Sequence, residues 1–193
     1  MGTLTVTAKE IEKCLIQLET ELHAKGWDNT PAQLWLLDKQ ARGIVPIEAV
    51  DSSTLTRVTS NPAEGLMMGV HGITHLPGPQ RLLPTLWSGA APNFAGAAFT
   101  TEVWARSGST AELLEEAQAD PRHFADIPGS NEGRIANAVD IHGNEHIVFR
   151  KRGGAVVTRV RPHTPFVKFK GVTVYSGRIP QALAELVLAI RKA

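Results

Sequence analysis

Cysteine is nearly absent from this chain. Cys14 is the only one among 193 residues, which excludes an internal disulfide and any cysteine-rich zinc site. It falls on the apolar stripe of a helical stretch, the setting of an inert buried thiol rather than of a nucleophile. Long hydrophobic runs are missing too: none approaches the ~18 residues that a membrane span needs. The opening MGTLTVTAKEIEKC has no basic region leading into an apolar core, and Val6 stands where a myristoylation motif prefers Ser or Thr. The expectation is a cytoplasmic protein with no membrane attachment.

Catalytic signatures are lacking as well. The chain has no G-x-S-x-G elbow, no S-x-x-K, no G-x-x-x-x-G-K-[ST] and no G-x-G-x-x-G. Acid pairs such as Glu115-Glu116 belong to the solvated side of a helical stretch. No catalytic residue and no cofactor are expected.

Acidic residues are scarce in one part only. From Ile147 to Ala193 ten basic residues face a single acid, Glu185, a net +9, while residues 1–146 carry −8. Such segregation marks either a surface for an acidic partner or two regions of the fold that neutralise one another. Composition otherwise is that of a folded chain: 42% hydrophobic and 20% charged residues are enough to build a core, so one domain spanning 1–193 is expected.

The local patterns are clearest at the two ends and in the region before the basic tail. Thr7 and Glu10 form a capping box, Ile11, Cys14, Leu15, Leu18 and Leu22 follow at helical spacing, and Gly26 supplies a stop. This predicts a helix over about Ala8–Lys25, with Glu19 among the residues of its outer faces. Thr30, Pro31 and Gln33 repeat a cap-like pattern, predicting a second helix from Pro31 to about Gln40. Ile44–Val50, interrupted by Pro46, reads as an edge strand at most. Asn61-Pro62 opens a short helix through Met67-Met68, and residues near 71–97 form an irregular connection dense in Gly and Pro. Alternation marks a strand from Ala98 to Arg106, and Ser109–Asp120 reads as a helix. The stretch GRIANAVDIHGNEHIVFRKRGGAVVTRV (Gly133–Val160) reads as a three-stranded antiparallel meander around the turn HGNE and the pair Gly153-Gly154. Val167–Tyr175 is a further strand, and Pro180 opens a closing helix bearing Leu183, Leu186, Val187 and Ile190. The fold class expected is α+β, an antiparallel sheet with the N- and C-terminal helices packed on one face.

GWDNTPAQLWLL, FTTEVW, the Gly133–Gly154 hairpin and PQAL, in that order, resemble a group of actinobacterial and actinobacteriophage proteins without an assigned activity. The likeness covers about half the chain and implies a fold and a biological context rather than a function.

Three readings of function follow. Arg150, Arg152, Arg159, Arg161, Lys168 and Lys170 have the even spacing that would place them on one face of adjacent strands. That face suits an acidic protein partner, with the protein a non-catalytic accessory of chaperone-like or immunity-like type, or a second copy of the chain as partner. Phe149, Phe166, Phe169 and Tyr175 interleave with these cations, so nucleic acid is the alternative occupant. A metal-dependent enzyme is the third reading, with His142 and His146 flanking the hairpin turn beside Asp140 and Glu145, and His71 and His75 at an H-x-x-x-H spacing.

Overall fold

The computed structural model describes residues 5–28, 32–50, 54, 57, 62–75, 89, 91–105, 131–161 and 178–191. The first helix, α1, spans Ala8–Ala24. Its start is closed reciprocally: the Glu10 amide donates to Thr7 Oγ1 at 3.3 Å and the Thr7 amide donates to the Glu10 carboxylate at 3.2 Å. Gly26, at φ +96°, turns the chain away from it.

The next segment departs from the sequence reading. Gln33–Gln40 is a strand, β1, not a helix. Its four successive apolar residues alternate between two cores: Leu34 and Leu36 enter one, Trp35 and Leu37 the other. A strand buried on both faces shows a continuous apolar run, which periodicity cannot separate from a buried helical turn. Strand β2 (Gly43–Val50) pairs, among the described residues, with β1 alone and carries Pro46 at the sheet edge, where a proline is tolerated.

Helix α2 (Pro62–His75) extends a turn or more past the two methionines, and β3 (Phe94–Ala105) starts earlier than the alternation indicated. Residues 71–75 and 94–97, read from the sequence as part of an irregular connection, therefore belong to a helix and a strand. β3 lies close against β4 (Asn131–Asp140): a β-carbon on Gly96 would come within 2.5 Å of the Val139 carbonyl oxygen. β5 (Glu145–Lys151) and β6 (Val156–Arg161) complete the meander, and α3 spans Arg178–Arg191. The six strands form one antiparallel sheet in the order β2-β1-β3-β4-β5-β6. The helix expected over Ser109–Asp120 and the strand expected over Val167–Tyr175 lie outside the described residues.

The α+β class is as the patterns indicated, but the terminal helices occupy opposite faces rather than one. Ile11, Leu15, Leu18 and Leu22 of α1 pack on Trp35, Leu37, Ala98, Ala136, Ala138 and Val148. Leu183, Leu186, Val187 and Ile190 of α3, with Leu66 and Val70 of α2, pack on Leu34, Leu36, Ala97, Phe99 and Val139. Each helix has one apolar stripe, and a sheet that is apolar on both faces needs one on each side. Among the described residues no helix is long and apolar enough to cross a membrane.

Candidate interaction surface

The expected single basic face is divided by the hairpin register. Across β5 and β6, Arg150 stands opposite Val156, whereas Arg159 stands opposite Ile147. Directly opposed residues share a face. Val148 and Val156 lie in the α1 core, so Arg150 projects toward α1 and Arg159 toward the other side.

Arg150 is committed there. Its Nε donates to both oxygens of Glu19, at 2.9 and 2.8 Å. Glu19 is fully buried, contrary to its expected place on an outer face, and Arg134, also fully buried, approaches it at 3.8 Å. Arg134 Nη2 further donates to the Gly26 carbonyl at 2.7 Å and to Glu102 at 2.9 Å. Glu19 follows Leu15 by four residues and Leu18 by one, so it falls on the apolar stripe itself. That position was the available signal for its burial.

Arg152 is committed as well. It bonds Asp28 at 2.7 Å and also pairs with Glu132. The Arg134 and Arg152 guanidinium groups stand 4.6 and 5.7 Å from the Trp27 ring centroid, so the Gly26-Trp27-Asp28 turn is held by cation–π contacts and ion pairs together. Asp28 adopts φ +67°, a conformation that Asp tolerates better than most residues, and its amide donates to Glu102 at 3.2 Å. The Arg152 guanidinium holds the Asp28 carboxyl below its ordinary range. Asp28, Glu102 and Glu132 bring carboxylate oxygens within 4.8 Å of one another. Each of the three carboxylates is paired with Arg134 or Arg152.

The histidines near the hairpin do not gather as a ligand set. Asp140 organises the turn instead, accepting from the His142 and Asn144 amides at 2.8 and 2.9 Å and from the Asn144 side chain at 2.7 Å. His146 Nε2 lies 3.0 Å from Asp140 Oδ2, and both side chains are buried. Burial would raise the Asp140 pKa, but the hydrogen bonds from His146 and Asn144 outweigh it and hold the carboxyl below its usual range. Glu145 faces the other side, in register with Val139. His71 and His75 both fall within α2, and their side chains lie outside the described residues, as do Lys168 and Lys170.

Cys14 lines a cleft of about 360 Å³ between α1 and the β1–β2 hairpin, with Leu18, Gln40, Arg42, Ile44 and Pro46. Burial pushes its thiol up to about 12, so the inert reading of this residue agrees with its surroundings.

The second sheet face differs at β5 and β6. Helices α2 and α3 cover the β1–β3–β4 part. Beyond them Ile135, Phe149 and Val157 form a cross-strand row, with Ile147 opposite Arg159 in the neighbouring row. Phe149 lies over Gly133, where a β-carbon would collide with its ring. Val157 is 63% exposed, the most exposed large hydrophobic residue described. Lys151 and Arg159 are exposed on the same side, and among the described residues no acid pairs with either. Arg161 continues this row in register with Glu145.

Fold and surface together define an α+β protein with a six-stranded antiparallel sheet between helices, one part of whose second face is apolar and basic. No protein-family model, no curated protein and no solved structure matches the chain.

Proposed function

We propose that this is a non-catalytic interaction protein that binds an acidic protein partner through the β5–β6 part of its second sheet face. The observation that carries the reading is that exposed Val157 lies beside Arg159 on that face, and that among the described residues no acid pairs with Arg159. Exposed apolar area gives affinity, and an unpaired arginine beside it selects for negative charge. The basic surface is smaller than the sequence suggests, because Arg150 and Arg152 serve the fold; Arg159 and Lys151 form its core. An inert cysteine and a buried Asp140–His146 pair support a binding role over catalysis. The cytoplasm and an accessory role in an actinobacterial or phage setting complete the reading.

The test is capture from a host lysate with and without nuclease, followed by reconstitution with the purified captured protein. Arg159→Glu is expected to weaken the reconstituted complex by about tenfold or more, since it replaces attraction by repulsion. Lys13→Glu, on exposed α1, is the control. Binding that Arg159→Glu leaves unchanged refutes the reading, and capture of nuclease-sensitive material alone favours nucleic acid.

A further inference from the structure

We infer that the partner adds an extended acidic segment as a strand on the outer edge of β6, an inference that rests on the interaction reading above. Among the described residues the outer strands of the sheet are β2 and β6. They differ in how open they are to another strand. β2 carries Pro46, opposite Leu37, and a proline lacks the N–H that a further ladder would use. β6, VVTRVR, has no proline before Pro162, and Val156, Val157, Thr158 and Val160 are all β-branched. Alternate N–H and C=O groups of an edge strand point away from its neighbour, and among the described residues no strand pairs with this edge.

Charge selects the occupant. A second copy pairing β6 to β6 would bring two arginine rows together, and β6 has no acid to offset them. Like charges opposed across strands are destabilising, while opposite charges stabilise. A segment that carries an acid and an apolar residue two positions apart, hence on one face, meets both demands. Its acid stands opposite Arg159, and its apolar residue covers Val157, which β5 leaves 63% exposed. The backbone ladder supplies affinity and the alternate side chains supply selectivity, the mode of strand addition.

The probe is a short fluorescent peptide of repeating Glu-Thr-Val-Thr, which puts Glu and Val on one face, compared with the same peptide N-methylated at alternate amides, on the wild-type chain. Amide exchange of Val156–Arg161 is followed by NMR. The outward-facing amides are expected to exchange fast in the free protein and to slow when the peptide binds. N-methylation should cost about tenfold or more in affinity, since it removes ladder donors. If the N-methylated peptide binds equally well and Arg159→Glu still weakens it, the edge inference fails and the interaction reading stands. Protection of all β6 amides in the free protein likewise overturns the edge inference alone. If the peptide does not bind at millimolar concentration, or binds Arg159→Glu equally, both fall.

Discussion

Arg134 and Arg150 face each other directly across β4 and β5 and converge on one carboxylate, that of Glu19 on α1. Two cations beneath one helix would repel one another in a dry interior; the Glu19 charge makes their arrangement tenable. Glu102 takes up a further charge on Arg134. The helix is thereby tied to the sheet by an ionic contact at the middle of its apolar stripe, in addition to its leucines.

Glu19→Gln is accordingly expected to lower stability by about 3–5 kcal/mol, because it leaves buried guanidinium charge without its partner. Lys13→Gln, on the exposed side of the same helix, should stay within ±0.5 kcal/mol of wild type, or about that. Urea unfolding of both variants measures the difference. Arg150→Glu is expected to unfold the protein outright, so it cannot report on binding.

The Asp140 pair predicts the acid limb of the stability curve. Its folded carboxyl holds a proton less tightly than the unfolded one. The resulting stabilisation is complete above the unfolded pKa of about 3.9 and is lost as pH falls through the depressed folded value. Asp140→Asn should therefore be less stable than wild type near neutrality and lose less on acidification. Urea midpoints measured from pH 6 to pH 2, or about that range, compare the two slopes.

Cys14 should react slowly while the chain is folded. A thiol pushed to about 12 has a thiolate population about three orders of magnitude below that of a free cysteine near neutral pH. A disulfide reagent followed by absorbance should modify it slowly in buffer and rapidly in urea. Fast modification of the native protein would contradict the burial described.

Gly133→Ala places a β-carbon against the Phe149 ring. The expected loss is about 1–3 kcal/mol. In Phe149→Leu the same substitution should cost less, so the double variant loses less than the two single losses combined. Equal costs in both backgrounds would show that Phe149 is not the obstacle.

The sequence made local signals legible and non-local ones only partly so. The Thr7–Glu10 box lies within one helical turn, and its geometry is the one observed. The strands around HGNE were legible for the same reason, since a short hairpin turn settles which segments pair. Thr30, Pro31 and Gln33 imitated a helix start, yet Leu34–Leu37 became the strand between two cores. Only the presence of helices on both sides distinguishes those outcomes. The basic residues failed differently. Alternation within β5 and within β6 was legible, but their relative phase depends on the Lys151–Ala155 turn. That phase sends Arg150 toward Glu19 and leaves Arg159 outside. Residue spacing alone carries no such phase.

The opposition of α1 and α3 across the sheet has a consequence for sequence change. Among the described residues the two cores share no side chain and meet through the backbones of the strands between them. Repacking Leu15 or Leu18 can alter one compartment while Leu183 and Leu186 keep their neighbours. Mutational effects in the two compartments should then combine nearly independently, whereas those within either should couple. The sheet acts as a partition, and each side of the molecule is free to drift in sequence without the other.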